Sequence, residues 1–343
     1  MKKVLVTGGG GFIGLALVKS LIERGVAVRV FGRHHYPEAV LLGAVCVVGD
    51  LRDAEMVSQA TCGCDTVFHV GAKAGIWGPY AEYYAINVQG TENVINGCLQ
   101  QGVGRLVYTS TPSVVFDGED LQGVDERTPY ASKPLCHYAS TKIAAEKLVL
   151  GANSTRLLTV AIRPHLVWGP GDTNLIPRLI ARGQEGSLRI VGDGTNMVDI
   201  AYIDNVVAAH ILAAESLESS TRASGNAFFI GQEEPVQLWN WINQLFDAMN
   251  IPLVEKSISM KTAWRIGWFL EKIYSILHIS REPKMTRFLA EQLALSHWFN
   301  KEKATSMLGY REYVTTEKGM AALQRWLVST DKSNVITNNN EMV

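Results

Sequence analysis

The chain has 343 residues, 47% of them hydrophobic, and 32 Lys and Arg against 33 Asp and Glu give a formal net charge of −1. This is long enough for one large α/β domain or a main domain with a smaller lobe, and the balanced charge excludes a whole-chain field that recruits nucleic acid or anionic lipid. The five cysteines (Cys46, Cys62, Cys64, Cys98, Cys136) are an odd set with one close pair, which offers no second ligand pair for zinc, so reduced thiols and no metal are expected.

Met1-Lys2-Lys3 runs directly into an apolar strand; with no room for a signal segment ahead of it, a cytoplasmic protein is expected. The strand breaks into four glycines and reopens as a helix at Phe12, with the spacing Thr7-Gly8-x-x-Gly11-x-x-Gly14. In such a turn the backbone at Gly8, Gly11, Phe12, Ile13 and Gly14 can close on a pyrophosphate at a helix N-terminus. Alone the signal is weak, because any tight strand-to-helix turn selects glycine. The helix carries apolar residues at 13, 17, 18, 21 and 22 and ends at Gly25.

A second strand, Val26 to Phe31, ends in Gly32-Arg33-His34-His35 with no carboxylate before Glu38. An acid at this point would bond the adenosine 2′-hydroxyl and a base a 2′-phosphate, so Arg33 favours NADP(H) over NAD(H); the competing reading is a solvated basic loop. A third strand, Ala44 to Val48, leads to Asp50 and Leu51. Asp50 can accept from an adenine amino group or cap the helix that starts near Asp53. A fourth strand, Asp65 to Val70, opens into a small-residue loop containing Lys73, which leaves room for a ligand at a topological switch.

Tyr80 to Gln101 reads as one long helix with Asn87 inside it as a structural hydrogen-bonding residue. The fifth strand, Arg105 to Ser110, runs into Thr111-Pro112-Ser113 and places hydroxyls at a strand's carboxyl end. Phe116 to Pro134 lacks periodicity and is expected to be a loop-like flap. Tyr138-x-x-x-Lys142 follows on a helix; residues four apart share a face, where an ammonium would lower the phenol's pKa. The sixth strand, Thr159 to Arg163, stops at Pro164; helices follow from Asn174 and Tyr202, a short strand lies at Leu188 to Val191, and Ala227 to Ile230 is the last strand of the main domain.

Beyond Glu234 the pattern is mostly helical. Thr262 to Ile279 is rich in Trp264, Ile266, Trp268, Phe269, Leu270, Ile273, Tyr274, Ile276 and Leu277, but Arg265, Glu271 and Lys272 interrupt it, so it does not span a membrane. A core helix, an interfacial membrane helix and a wall for a long apolar substrate remain open. The expected fold is α/β, a doubly wound parallel Rossmann sheet with a smaller, mostly helical C-terminal substrate lobe. Residues 1–168 and 199–232 form the dinucleotide-binding domain, 169–198 and 233–330 the substrate lobe, and 331–343 a disordered tail.

The glycine turn, Thr109-Ser110-Thr111 and Tyr138-x-x-x-Lys142, in that order, resemble an extended short-chain dehydrogenase/reductase. Arg163-Pro164-His165-Leu166-Val167-Trp168-Gly169-Pro170-Gly171-Asp172 and Tyr202-Ile203-Asp204-Asn205 resemble its 3β-hydroxysteroid and sterol-carboxylate dehydrogenase branch. Within it, Gly71-Ala-Lys-Ala-Gly-Ile-Trp-Gly78 and Tyr108-Thr-Ser-Thr-Pro-Ser-Val114 are similar to ketoreductases of bacterial olefin biosynthesis. The resemblance implies an NADPH-dependent ketoreductase with Tyr138 as general acid, Lys142 as its partner on the nicotinamide ribose, and Thr111 where the family has a catalytic Ser, with Ser110 in reserve. It assigns the adenine contact to Asp50 and Leu51, a loop over the cofactor to Lys73, and the flank of the nicotinamide to Pro164. It also implies a long-chain apolar substrate, a homodimer through the helices bearing Asn87 and Tyr138, and an assembly with other olefin-pathway enzymes. A sterol 3-dehydrogenase is the rival within enzymes, and a non-catalytic NADP-sensing or scaffold module the rival of another class.

Overall fold

Val4, Leu5 and Val6 are all fully buried, because a parallel strand covered on both faces needs a continuous apolar run instead of an alternation. In the computed structural model, which describes residues 1–340 and side chains as far as Ser329, this run is β1 (Lys3–Thr7) of a seven-stranded parallel sheet. The others are β2 (Ala27–Gly32), β3 (Val45–Val48), β4 (Thr66–His69), β5 (Arg105–Thr109), β6 (Leu158–Pro164) and β7 (Asn226–Ile230). Their spatial order is β7-β6-β5-β4-β1-β2-β3, so the winding reverses between β1 and β4. Thr7 stands in register with Phe31 on one side and His69 on the other. The crevice beyond these carboxyl ends is where a doubly wound sheet receives its ligand.

The connecting helices are α1 (Phe12–Glu23), α2 (Ala54–Thr61), α3 (Gly90–Gln101), α4 (His137–Gly151), α5 (Leu175–Gln184) and α6 (Ile203–Ser219). The helix expected over Tyr80 to Gln101 is continuous, but one wide turn at Ala85–Gln89 interrupts its regular bonding. Such turns re-aim side chains and are frequent at functional sites; this one carries Asn87. C-terminal helices α7 (Leu238–Ala248), α8 (Met260–Ile276), α9 (Arg287–Ala294) and α10 (Thr316–Asn340) complete the chain. Among the described residues no helix is long and apolar enough to cross a membrane.

Two expectations need correction. The stretch Phe116 to Pro134 is not a free flap: Leu121–Val124 pairs with His297–Phe299 in a second sheet that also holds Met197–Val198 and Val236–Gln237. Its partners are remote in sequence, so no local periodicity announces it, and Phe116 and Leu121 bury against Phe288 and Phe299. Of the three readings open for Thr262 to Ile279, the pocket wall is removed: helix α8 lines no part of the cavity described below, buries Ala263 and Gly267 and leaves Ile266, Trp268, Phe269 and Ile276 exposed. Helix α10 runs on to Asn340, into the stretch from 331 expected to be a disordered tail. Residues 341–343 of that tail lie outside the described residues.

Candidate active site

The glycine turn forms because the ends of β1 and β4 approach to backbone contact. Gly8 has φ +68°, and a Cβ there would lie 2.7 Å from Gly71 Cα; a Cβ on Gly14 would lie 2.1 Å from the Gly8 carbonyl oxygen. Gly11 differs: its nearest neighbour would be 3.4 Å away, so it opens to the crevice at the N-terminus of α1, where amides lack intrahelical partners. Gly71 N donates to Thr7 Oγ1 at 3.0 Å. Thr7 Oγ1 is also 2.8 Å from His69 Nδ1, whose Nε2 is 2.9 Å from Thr91 Oγ1. Burial, aided by the charge of Lys142, pushes His69 down to about 3, which keeps this brace neutral. Tyr36, absent from the expected residues, lies over Gly10, whose Cβ would come within 1.9 Å of its ring.

At the end of β2 Arg33 is exposed on the crevice wall. Asp50 faces it but is held by Arg52, whose Nε and Nη2 donate at 2.9 and 2.6 Å. Chiefly through Arg52, and least through Arg33, the Asp50 carboxyl drops to about 2. The cap of α2 is Asp53, which accepts from the Glu55 and Met56 amides at 3.0 Å, so the capping reading of Asp50 is removed. Lys73 pairs with Glu82 at 3.0 Å. Its backbone N–H donates to Asn87 Oδ1 at 2.7 Å, and Asn87 Nδ2 donates to the Lys73 carbonyl and to Thr141 Oγ1, both at 3.1 Å. Asn87 thus knits the small-residue loop to α4, the structural role its position implies.

On α4, Tyr138, Lys142 and Glu146 recur every four residues along one stripe. Glu146, fully buried, receives Arg163 Nε and Nη2 at 3.0 and 2.5 Å and the Tyr130 hydroxyl at 2.9 Å. That clamp fixes the register of the helix against β6. Lys142 Nζ donates to the Thr109 carbonyl at 2.6 Å and stands 4.1 Å over the Tyr108 ring. Burial lowers Lys142 to about 7. The expected depression of Tyr138 is not found. Part of its ring opens to the crevice, yet the protein packed around it raises the phenol to about 12, while the Thr111 hydroxyl beside it pulls the other way. Desolvation sets the direction, and Lys142 is not among the groups that move the phenol.

Thr111 Oγ1 lies 3.2 Å from Ser113 Oγ and accepts from Ser113 N at 3.2 Å. Ser110 Oγ is buried and has no hydrogen-bond partner among the described residues. Every residue expected to hold cofactor or react lines one cavity of about 790 Å³, together with Pro164 at the end of β6. Its other walls are Leu175 and Leu179 of α5, Leu238, Trp241 and Ile242 of α7, and Phe288, Leu289 and Leu293 of α9.

Several lining residues were not expected. Ser113 stood in the hydroxyl-rich stretch unassigned. Asn174, Arg178 and Arg182 recur every four residues, a periodicity that could have exposed them. His165 and His297, with Nε2 and Nδ1 2.6 Å apart, are too distant in sequence for a local signal. Asp172 is buried and accepts from the amides of Asn174, Leu175 and Ile176, starting α5. The site fits a nicotinamide dinucleotide: glycines that admit close backbone approach, the open N-terminus of α1, and a Tyr and Lys on one face all meet there.

Residues 5–261 match the model of the 3-beta hydroxysteroid dehydrogenase/isomerase family, and the chain belongs to that family. It is a nicotinamide-dependent oxidoreductase of the short-chain dehydrogenase type that acts on hydroxyl and keto groups. A 2-alkyl-3-oxoalkanoate reductase of Stenotrophomonas maltophilia is 49% identical over 94% of this chain and 98% of its own length. One of Shewanella oneidensis is 45% identical over 93% and 84%. The sterol-4-alpha-carboxylate 3-dehydrogenase, decarboxylating, of Mus musculus is 35% identical over 93% and 89%. Among solved structures, MoeE5 in complex with UDP-glucose and NAD is 27% identical with a TM-score of 0.74, covering 96% of this chain and 99% of that one.

Proposed function

We propose that the protein uses NADPH to reduce the 3-keto group of a long-chain 2-alkyl-3-oxoalkanoate to the 2-alkyl-3-hydroxyalkanoate in olefin biosynthesis, beside other enzymes of that pathway. The observation that carries the reading is the single cavity that joins the glycine turn, Arg33, Thr111, Tyr138 and Lys142 to the apolar walls of α5, α7 and α9. The two bacterial reductases named above support the substrate class.

In this reading Gly8, Gly11, Phe12, Ile13 and Gly14 hold the pyrophosphate, Asp50 and Leu51 the adenine, Arg33 the 2′-phosphate, and Lys73 and Pro164 flank the dinucleotide. The cofactor supplies a hydride when bound. Tyr138, protonated at neutral pH because its phenol lies near 12, keeps a proton at Oη for the substrate oxygen. Thr111 offers a hydroxyl to the same oxygen, with Ser110 and Ser113 behind it. Lys142, fixed on the Thr109 carbonyl, faces the ribose. Residues 169–198 and 233–330 serve as the substrate lobe.

Tyr138→Phe tests the assignment. It removes the proton donor and should cut kcat by roughly 10²- to 10⁴-fold while NADPH affinity is unchanged. Undiminished turnover would remove Tyr138 from the mechanism and reopen the reading of a nucleotide sensor. The proposed homodimer, through the helices bearing Asn87 and Tyr138, predicts twice the chain mass by light scattering; a monomer mass at working concentration refutes it.

A further inference from the structure

Helix α8 is sealed on one side and open on the other. Ser259 starts it by accepting from Thr262 N at 3.2 Å. Gly267 packs so tightly on α9 that a Cβ would come within 2.5 Å of the Thr286 carbonyl carbon. The one acid of the helix, Glu271, turns to this side and accepts from Arg287 N and Nε, both at 2.7 Å. At 3.6 residues per turn the opposite side carries Ile266, Phe269, Ile273 and Ile276 as a stripe. Phe269 is 58% and Ile276 73% exposed, and Leu277 continues the stripe at 63%.

Exposed Lys261, Arg265 and Lys272 run beside that stripe, and exposed Arg281 and Lys284 follow it. Glu282, the acid between the last two, is tied to Arg178. An apolar stripe with cations alongside and its own acids turned away is the local field that a net charge of −1 conceals.

We propose that α8 and the segment to Lys284 form a docking surface for an anionic lipid bilayer. Apolar area and Lys or Arg heads act together at such an interface. A seam for another helix would be flanked by charges of both signs, and here the flank carries one. The location fits a lipid-facing role. Trp77 Nε1 donates to the Ile279 carbonyl at 3.0 Å and its ring stands 6.1 Å from that of Tyr274. Trp77 belongs to the loop whose residues Gly71 to Ile76 wall the catalytic cavity, and Glu282 also lines it. The C-terminal end of the helix, where Ile276 and Leu277 are exposed, therefore stands beside the loop that walls the cavity. The surface itself does not depend on which keto acid is reduced.

The test is flotation of the full chain with vesicles of phosphatidylcholine, alone or mixed with phosphatidylglycerol. The native chain should float with the anionic vesicles, and float much less with neutral vesicles or in high salt. Phe269→Glu with Ile276→Glu should abolish flotation. Lys272→Ala with Arg281→Ala should weaken it about 25-fold, about fivefold for each cation. Both double variants alter exposed positions, and unchanged NADPH binding would verify their folds. A native chain that stays at the bottom, or a Phe269→Glu/Ile276→Glu chain that floats like the native one, overturns the proposal. So does a native chain that fails to float while this double variant converts a dimer to monomer by light scattering; the face would then belong to a second copy.

Discussion

Arg33 and Asp50 face each other across the proposed adenosine end of the site, and the balance between them decides the cofactor. Asp50 is neutralised by its two-pronged bond to Arg52, so a 2′-phosphate would meet the Arg33 guanidinium without an unpaired carboxylate beside it. A hydrogen bond to a charged group is worth about 1.5–3 kcal/mol. Arg33→Ser should therefore raise the KM for NADPH roughly tenfold or more and leave that for NADH unchanged; equal effects on the two would sink the NADPH preference. Lys142 makes a second prediction. Burial lowers it from 10.5 to about 7, so the unfolded chain binds more protons between those values. Its contribution makes stability rise as pH rises through that window, and charging it as pH falls toward 7 is what costs stability. Urea midpoints should climb from neutral to alkaline pH more steeply in the native chain than in Lys142→Met; parallel curves would contradict the depressed value.

At the scale of the element, helix α4 turns a local spacing into a site. Tyr138 and Lys142 were legible because four residues are one turn, whatever the rest of the chain does. Glu146, the next position of the same stripe, was not, because its partner Arg163 lies on β6 and only the folded chain brings the two together. Glu146→Gln would leave Arg163 buried with its charge uncompensated, a change that costs about 3–5 kcal/mol. Thermal or urea unfolding should show this loss, and a change below about 1 kcal/mol would mean that the clamp does not hold the helix. A Glu146→Gln/Arg163→Met double variant should recover part of it. The same distinction explains the second sheet. Leu121–Val124 finds its strand partner at His297–Phe299, so its sequence shows only a polar stretch with no period.

For the whole molecule, the parallel strands were readable as apolar runs closed by Gly, Pro or hydroxyl residues, and the reversal of their order at β1 and β4 puts the glycine turn where a dinucleotide belongs. The substrate side was harder to read. The aromatic-rich segment of α8 left a pocket wall open as one of three readings, yet the cavity is walled by α5, α7 and α9, whose apolar residues are spaced on helices with polar outer faces. Composition reports how apolar a helix is; tertiary packing decides which way it faces. The account rests on the joining of cofactor end, reacting groups and apolar walls in one chamber. The most direct test incubates the purified chain with NADPH and a synthetic long-chain 2-alkyl-3-oxoalkanoate. Cofactor should be consumed in step with formation of the 2-alkyl-3-hydroxy acid, faster than with NADH. No turnover at any chain length, or preferential oxidation of a 3β-hydroxysteroid with NAD, would contradict it.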